Sequence, residues 1–334
     1  MKSKNLSENI LRSVKSKGFK YIDLPTVIES DHIVQRSGES FRKFIFSFID
    51  YDGKELCLRP DLTIVSCLRY LENNLKGKEK IFYSGQAYRK SQNKKNSIIR
   101  NQIGFEVLGS KDEKNDDKEI INTSLKALQN IKYSSGKLTI GNVEIFKLLV
   151  QKLELPTRWK LRLLRHFWRE DYFNDLLKRL ETNADIDPTT VAVDQKKYLD
   201  LLKKDPSTMI AGRSIGEILK RFDAKMNDPR RASKGKKVSA IIRSFLKIKC
   251  PINSAAKELN KFFKKNKINL VVDQKYFPIS SNKVSNLNVV FSASFGRQLE
   301  YYTGMVFKID IKSKSKTISL CAGGRYDGLI FDLG

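Results

Sequence analysis

Four short segments carry the side chains best suited to recognising a small polar ligand. In the stretch Ile98 to Leu108, alternation places Gln102, Gly104 and Glu106 on one strand face and Ile103, Phe105 and Val107 on the other. A glycine between an amide and a carboxylate suggests room beside two hydrogen-bonding groups, although an ordinary sheet with one wet face reads the same way. Leu58-Arg59-Pro60-Asp61-Leu62-Thr63 sits at a strand-to-helix corner, where Asp61 or Thr63 either caps the helix or serves a site. Phe295-Gly296-Arg297-Gln298-Leu299-Glu300-Tyr301-Tyr302-Thr303-Gly304 sets paired tyrosines beside Arg and Glu, a combination also found in strands without a function. In Cys321-Ala322-Gly323-Gly324-Arg325-Tyr326-Asp327-Gly328 the glycines either make a turn or let the backbone approach a ligand. Metal chemistry is not indicated. The chain has two histidines, His32 and His166, and its four cysteines form no C-x-x-C pair.

The elements that must hold these segments follow from periodicity and turn signals. Ser7 is placed to cap an opening helix with Ile10, Leu11 and Val14 on one face and Gly18 as its stop. Phe19 to Val27 is extended but interrupted by Pro25. Phe44 to Ile49 and Glu55 to Leu58 flank Asp52-Gly53, a hairpin signal. A helix begins at Pro60 with Ile64, Leu68, Leu71 and Leu75 inward. Strands Lys80 to Arg89 and Ile98 to Leu108 are joined by a polar tract, Ser91 to Ser97. A helix over Lys118 to Leu128, a strand around Leu138 to Ile140 and a helix over Glu144 to Leu153 follow.

From Pro156 the texture is helical and basic, with Trp159, Leu161, Leu163, Leu164 and Phe167, then Tyr172, Leu176 and Leu177, as its apolar positions. Pro229 to Lys237 reads as an exposed hinge. Strand character returns at Asn286 to Phe295, Met305 to Ile311 and Thr317 to Cys321. The expected fold is α+β, an antiparallel sheet core flanked by helices, with residues 1–155 and 235–334 as its two parts. A helical insertion occupies 156–234. A doubly wound βαβ sheet is excluded by this order.

Composition sets the outer limits. The 334 residues, 40% of them hydrophobic and 30% charged, are enough for a real core. No apolar run reaches the roughly 18 residues of a membrane helix, and no secretory signal opens the chain, so a cytoplasmic location is expected. A net charge of +27 invites a nucleic-acid reading. Lysine far outnumbers arginine, however, and arginine is the better fork for phosphates and bases, so nucleic acid is not the expected partner.

Taken together the motifs resemble the histidyl-tRNA synthetase-like class II family. Arg-Pro-Asp-Leu-Thr at 59–63, Ala-Tyr-Arg at 87–89, the Gln102-to-Glu106 strand, Leu-Glu-Tyr-Tyr-Thr-Gly at 299–304 and Ala-Gly-Gly-Arg-Tyr-Asp-Gly-Leu at 322–329 occur in the family's order. The resemblance covers most of the chain outside the insertion. It implies a histidine pocket, in which Asp61, Thr63 and Gln102 surround the ammonium. Glu106 and Tyr302 address the imidazole, Arg297 faces the carboxylate, and Tyr326 closes a wall. Synthetases usually have Glu where this chain has Asp61.

The nucleotide side departs from the synthetases. After Arg89, which remains as a vestige of that side, Ser91 replaces a glutamate, and Asn96 and Ile98 stand where the family carries arginines. The chain stops at Gly334, before the final class II motif and any anticodon-binding domain would appear. Losing a cationic donor at such a site removes about 2.7–4 kcal/mol of transition-state stabilisation. A pocket kept without its nucleotide machinery resembles the branch of the family made up of regulatory subunits of ATP phosphoribosyltransferase. Leu155 to Arg169 and Phe295 to Tyr302 also look like that branch. The resemblance implies a non-catalytic, cofactor-free protein. Its implied partners are the short-form catalytic subunit of that transferase, L-histidine and a second copy within a hetero-oligomer. The alternative is a histidine–tRNA ligase core fragment.

Overall fold

The structure is a computed structural model and describes residues 3–37, 39–73, 77–90, 97–129, 131, 133–182, 188–210, 212–226, 232–296, 301–313 and 316–333. Three sheets of at least three strands build the described fold. In the first, Lys20–Tyr21 runs parallel to Glu79–Tyr88, which pairs antiparallel with Ile99–Leu108. That pairing sets Tyr83 opposite Gly104 and Gly85 opposite Gln102. The second has the order Lys249–Pro251, Leu287–Ser292, Ser135–Asn142, Met305–Ser313, Lys316–Gly324. Its central pair, Leu287–Ser292 and Ser135–Asn142, is parallel and its other pairings are antiparallel. The third joins Val27–Glu29, Glu55–Leu58 and Ser47–Ile49 antiparallel, and Gly53 takes φ +80° in the hairpin turn. This is the antiparallel-rich α+β arrangement expected from the order of the elements.

Several boundaries move for identifiable reasons. The first helix is Ser3–Lys15, so Ser7 lies inside it rather than capping it, while Gly18 supplies the left-handed φ of +83° just beyond it. The corner helix is Thr63–Glu72, and Asp61 serves its start by accepting the Ile64 N–H at 3.1 Å. Its buried side chains are Ile64, Val65, Ser66, Cys67 and Tyr70, with Leu68 only partly covered. The terminal helix Leu329–Leu333 and the strand Ile99–Leu108 both pack on it, so its buried arc is wider than one stripe. Leu75 lies outside the described residues. Helix Glu113–Leu128 begins earlier than its apolar pattern, because Asp112 accepts the Asn115 N–H and caps it. Gly323 and Gly324 are the last residues of a strand, so of the two readings open to them the turn does not apply.

The helical segment comprises Thr157–Arg165, Glu170–Thr182, Pro188–Leu202, Ile215–Met226 and Ala232–Leu246. Trp159, Leu163, Phe167, Phe173, Leu176 and Leu177 are buried in one core with Leu138, Ile140 and Phe291 of the second sheet. Phe146, on the helix Val143–Lys152, stacks with centroids 3.9 Å apart on Phe167, just past the end of Thr157–Arg165, and the two helices pack together. Leu161 does not join them and is 62% exposed. The helix Ala232–Leu246 crosses the boundary expected at 234 and packs on Glu170–Thr182. A Cβ at Gly235 would lie 1.9 Å from the Leu180 carbonyl oxygen, so that residue is a close helix contact, not part of a solvated hinge. Residues 229–231 of that tract lie outside the described residues, as do 91–96 of the polar connection.

Candidate functional site

Glu106 is the centre of the described site. Its Oε1 accepts from the Tyr83 hydroxyl at 2.5 Å and from Thr63 Oγ1 at 3.2 Å. Its Oε2 accepts from the Tyr326 hydroxyl at 2.5 Å. Three elements thus converge on one carboxylate: the corner helix, the strand Glu79–Tyr88 and the segment after the last strand. Burial raises the Glu106 carboxyl above the usual range, while the three hydroxyl donors pull it back down.

Gly104 does not leave empty space beside Glu106. A Cβ there would meet the Tyr83 ring at 2.4 Å, so the absent side chain is what admits the tyrosine. Tyr83 is 3% exposed and carries no motif signal of its own. Sequence reading recognised the gap in Gly104 and missed the residue that fills it. A large polar residue directly opposite a strand glycine is the signal that could have found it.

Asp61 lies at the other end of the corner. Burial raises its carboxyl, opposed by the Ile64 N–H and by Arg89, whose Nη2 is 4.0 Å from Asp61 Oδ2. Arg89 is held in place by donating Nε to the Pro60 carbonyl at 2.7 Å and by lying over the Phe41 ring at 5.4 Å. Arg59, only 7% exposed, was given no role by the sequence, yet it fastens the corner. It donates Nε to the Gln86 carbonyl at 2.8 Å and Nη1 to the Leu24 and Pro25 carbonyls. Gly85 makes room for its guanidinium, since a Cβ there would be 2.5 Å from Nη2. Gln102 is partly buried directly across the ladder from Gly85, on the strand that carries Glu106.

The tyrosines form the opposite wall. Tyr301 lies 5.1 Å from Tyr302 and 5.9 Å from Tyr326, centroid to centroid, in edge-on contacts. Burial and the negative charges of Glu106 and Asp61 raise the Tyr302 phenol, which places it within their field. Gly324 makes room for that ring, a Cβ there falling 2.9 Å from Tyr302 Cε1 and 2.8 Å from the Met305 carbonyl. Arg297 lies outside the described residues. The structure therefore brings Asp61, Thr63, Glu106, Tyr302 and Tyr326 together with Arg89 at the Asp61 end.

Arg325 was not foreseen as part of the assembly. Its guanidinium contacts Glu113, Asp117 at 3.5 Å, Glu144 at 3.9 Å and Asp327 at 3.9 Å. Its backbone is stitched to the tyrosine turn: Thr303 N–H donates to the Arg325 carbonyl at 2.9 Å, and Arg325 N–H donates to Met305 at 2.8 Å. Thr303 Oγ1 donates to Asp327 Oδ2 at 2.6 Å. Burial and the neighbouring carboxylates push Asp117 up to about 7 despite Arg325 beside it. The acidic run Glu113, Asp116, Asp117 in so basic a chain was the available signal.

No cluster of three or more His, Cys, Asp or Glu able to hold a metal exists among the described residues, and no described helix is long and apolar enough to cross a membrane.

The fold and this pocket define a class II aminoacyl-tRNA synthetase-like protein. A histidyl-tRNA synthetase family model matches residues 1–334, and the chain belongs to that family. It is similar to the ATP phosphoribosyltransferase regulatory subunit of Brucella anthropi, 27% identical over 94% of this chain and 87% of that protein. The regulatory subunit of Allorhizobium ampelinum is 28% identical over 97% of this chain and 91% of that one. Among solved structures, an ATP phosphoribosyltransferase regulatory subunit/histidyl-tRNA synthetase from Bacillus halodurans aligns with a TM-score of 0.57. That alignment has 20% identity and covers 99% of this chain and 73% of the other. A chain of the ATP phosphoribosyl transferase complex of Thermotoga maritima aligns at 0.52 and 15% identity, covering 96% and 91%. These two likenesses establish the fold.

Proposed function

We propose that this protein is a non-catalytic regulatory subunit of ATP phosphoribosyltransferase. It binds the short-form catalytic subunit, activates the first step of histidine biosynthesis and carries feedback by L-histidine. It acts in the cytoplasm as a homodimer within a hetero-oligomer. Asp61, Thr63 and Gln102 hold the ammonium, Glu106 and Tyr302 the imidazole, and Arg297 the carboxylate, with Tyr326 beside the ring. Allostery requires histidine to favour one of two states of the complex, a coupling of about 1–3 kcal/mol.

The observation that carries this reading is the orientation of Arg89. Its Nε is spent on the Pro60 carbonyl and its Nη2 faces Asp61, so it serves the amino-acid end. Ile98, where synthetases carry an arginine, is 49% exposed at the start of the neighbouring strand. An apolar side chain there supplies nothing to a phosphate. The curated relatives named above support the same assignment.

The test has two arms. Histidine-dependent exchange of pyrophosphate into ATP should be absent, and robust exchange moves the ligase-core alternative to first place. Adding the protein to the short catalytic subunit should raise phosphoribosyl transfer, and histidine should reverse the gain. Failure of the two proteins to co-purify at both low and physiological salt counts against the reading. Both salts matter because a chain of charge +27 adheres to acidic partners when screening is weak.

A further inference from the structure

The tyrosine wall of the pocket and the helical segment belong to different apolar cores, and the Arg325 side chain lies between them. Tyr301 and Tyr326 pack against the core of the corner helix, whereas Phe146 and Phe167 belong to the core of the second sheet. Arg325, with a side chain 15% exposed, adjoins both. It directly precedes Tyr326, whose hydroxyl bonds Glu106. Its guanidinium lies against Gly304 of the tyrosine turn, where a Cβ would fall 2.5 Å from Nε. The Gly304 carbonyl in turn accepts the Val143 N–H at 2.9 Å, at the start of the helix Val143–Lys152.

The grip of that guanidinium is half made. Nη1 bonds Glu113, but Nε is 3.5 Å from Asp117 and Nη2 is 3.9 Å from Glu144, both longer than a hydrogen bond. Nε is buried and has no hydrogen-bond partner among the described residues. A buried donor left unpaired is costly, so a small displacement that closes these gaps is favourable. The gaps close toward two helices, Glu113–Leu128 through Asp117 and Val143–Lys152 through Glu144. Phe146, two residues beyond Glu144, stacks on Phe167 and meets Phe173 and Phe245 at 5.9 and 6.1 Å. The latter two rings stand on Glu170–Thr182 and Ala232–Leu246 of the helical segment.

We propose that Arg325 is a positioning residue that ties the ligand pocket to the helical segment. Closure of Tyr302 and Tyr326 on a bound amino acid draws the guanidinium onto Asp117 and Glu144, and the helix Val143–Lys152 passes the shift to the helices packed on Phe146. This rests on the histidine-pocket reading and adds to it how occupancy is felt outside the pocket. A ligand shifts such an equilibrium only through interactions that differ between the two states. The tyrosine wall supplies that difference, because Tyr326 follows Arg325 in the chain and Thr303, next to Tyr302, is hydrogen-bonded to its carbonyl. Packed elements then move between discrete arrangements instead of deforming smoothly.

Both tryptophans of the chain, Trp159 and Trp168, lie in or just beyond the first helix of the segment, and Trp159 is fully buried there. Their emission therefore reports on the segment without a partner protein. The test follows L-histidine binding to the full chain by calorimetry and by tryptophan emission. The expected result is a saturable change in emission with the same midpoint as the calorimetric titration. Glu144→Gln, at a side chain 38% exposed, should bind histidine with unchanged affinity and lose most of the emission change. In the complex with the short catalytic subunit it should raise the inhibitory histidine concentration about tenfold. Arg325→Lys keeps the charge, but a compact ammonium cannot reach both helices, so it should lose the emission change and bind histidine more weakly as the wall loosens. Melting curves establish that each variant is folded. Binding without an emission change in the unsubstituted chain overturns the tie, as does an emission change that survives in both variants. Equal loss of binding and emission in Glu144→Gln makes that residue structural and also overturns it. These outcomes leave the pocket reading standing, whereas no histidine binding to the unsubstituted chain overturns both.

Discussion

The Tyr83 side chain occupies the space above Gly104 and hands its hydroxyl to Glu106 at 2.5 Å. The pair sits directly opposed in the ladder of Glu79–Tyr88 and Ile99–Leu108. The glycine is therefore a packing requirement of the tyrosine, and the tyrosine orients the carboxylate.

Gly104→Ala tests that relationship. Its methyl group would meet the Tyr83 ring at 2.4 Å, so the ring must shift and the Glu106 hydrogen bond with it. Overpacking of this kind typically costs about 1–3 kcal/mol. Chemical denaturation should show that loss, and histidine affinity should fall with it. Unchanged affinity in a destabilised variant would separate Tyr83 from the site.

Glu106→Gln should weaken histidine feedback more than activation. One of the three donors, Thr63, Tyr83 or Tyr326, would face an amide NH2 instead of an acceptor. A charged hydrogen bond contributes about 1.5–3 kcal/mol, and losing part of it raises the inhibitory histidine concentration roughly tenfold, about 1.4 kcal/mol. A purely structural ion pair of Glu106 with Arg89 is not the arrangement found, since Arg89 faces Asp61. Activation, feedback and melting temperature measured on one sample decide the matter. Normal feedback in a folded, activating variant would place sensing elsewhere.

Asp117 gives a pH signature. Its carboxyl lies near 7 in the folded chain, above its ordinary value of 3.8. A raised value means its contribution to stability is fully present below 3.8 and is lost as pH rises through 7. Asp117→Asn removes that slope. The melting temperature of the variant relative to the unsubstituted protein should therefore rise between pH 5 and pH 8. A flat difference across that window contradicts the shift.

Gly235→Ala distinguishes a packed helix from a hinge. In an exposed helix the change would stabilise by about 0.4–1 kcal/mol. Here the new Cβ falls 1.9 Å from the Leu180 carbonyl oxygen, so the two helices must separate. A loss of about 1–3 kcal/mol in urea unfolding is expected. The sign alone decides.

The ordered motifs and the strand alternation through Ile103, Phe105 and Val107 were legible in the amino-acid sequence. So were the Asp52-Gly53 hairpin and the run of helices after Pro156. Each is a local property, carried by residue type, a period of two or 3.6, or a turn residue that tolerates positive φ. The family's site residues Asp61, Thr63, Glu106, Tyr302 and Tyr326 could be listed from their motifs alone. What occupies the space between them could not. That Tyr83 fills the gap at Gly104, Arg59 the one at Gly85 and Arg325 the one at Gly304 depends on contacts between segments about twenty residues or more apart in the chain. A glycine in a sequence records that something comes close and says nothing of what. The direction of Arg89 toward Asp61, and the collection of four carboxylates around Arg325, are likewise outcomes of strand register and helix placement. Charge pairing acts through space, over a few ångströms, and only the folded chain decides which charges come that near.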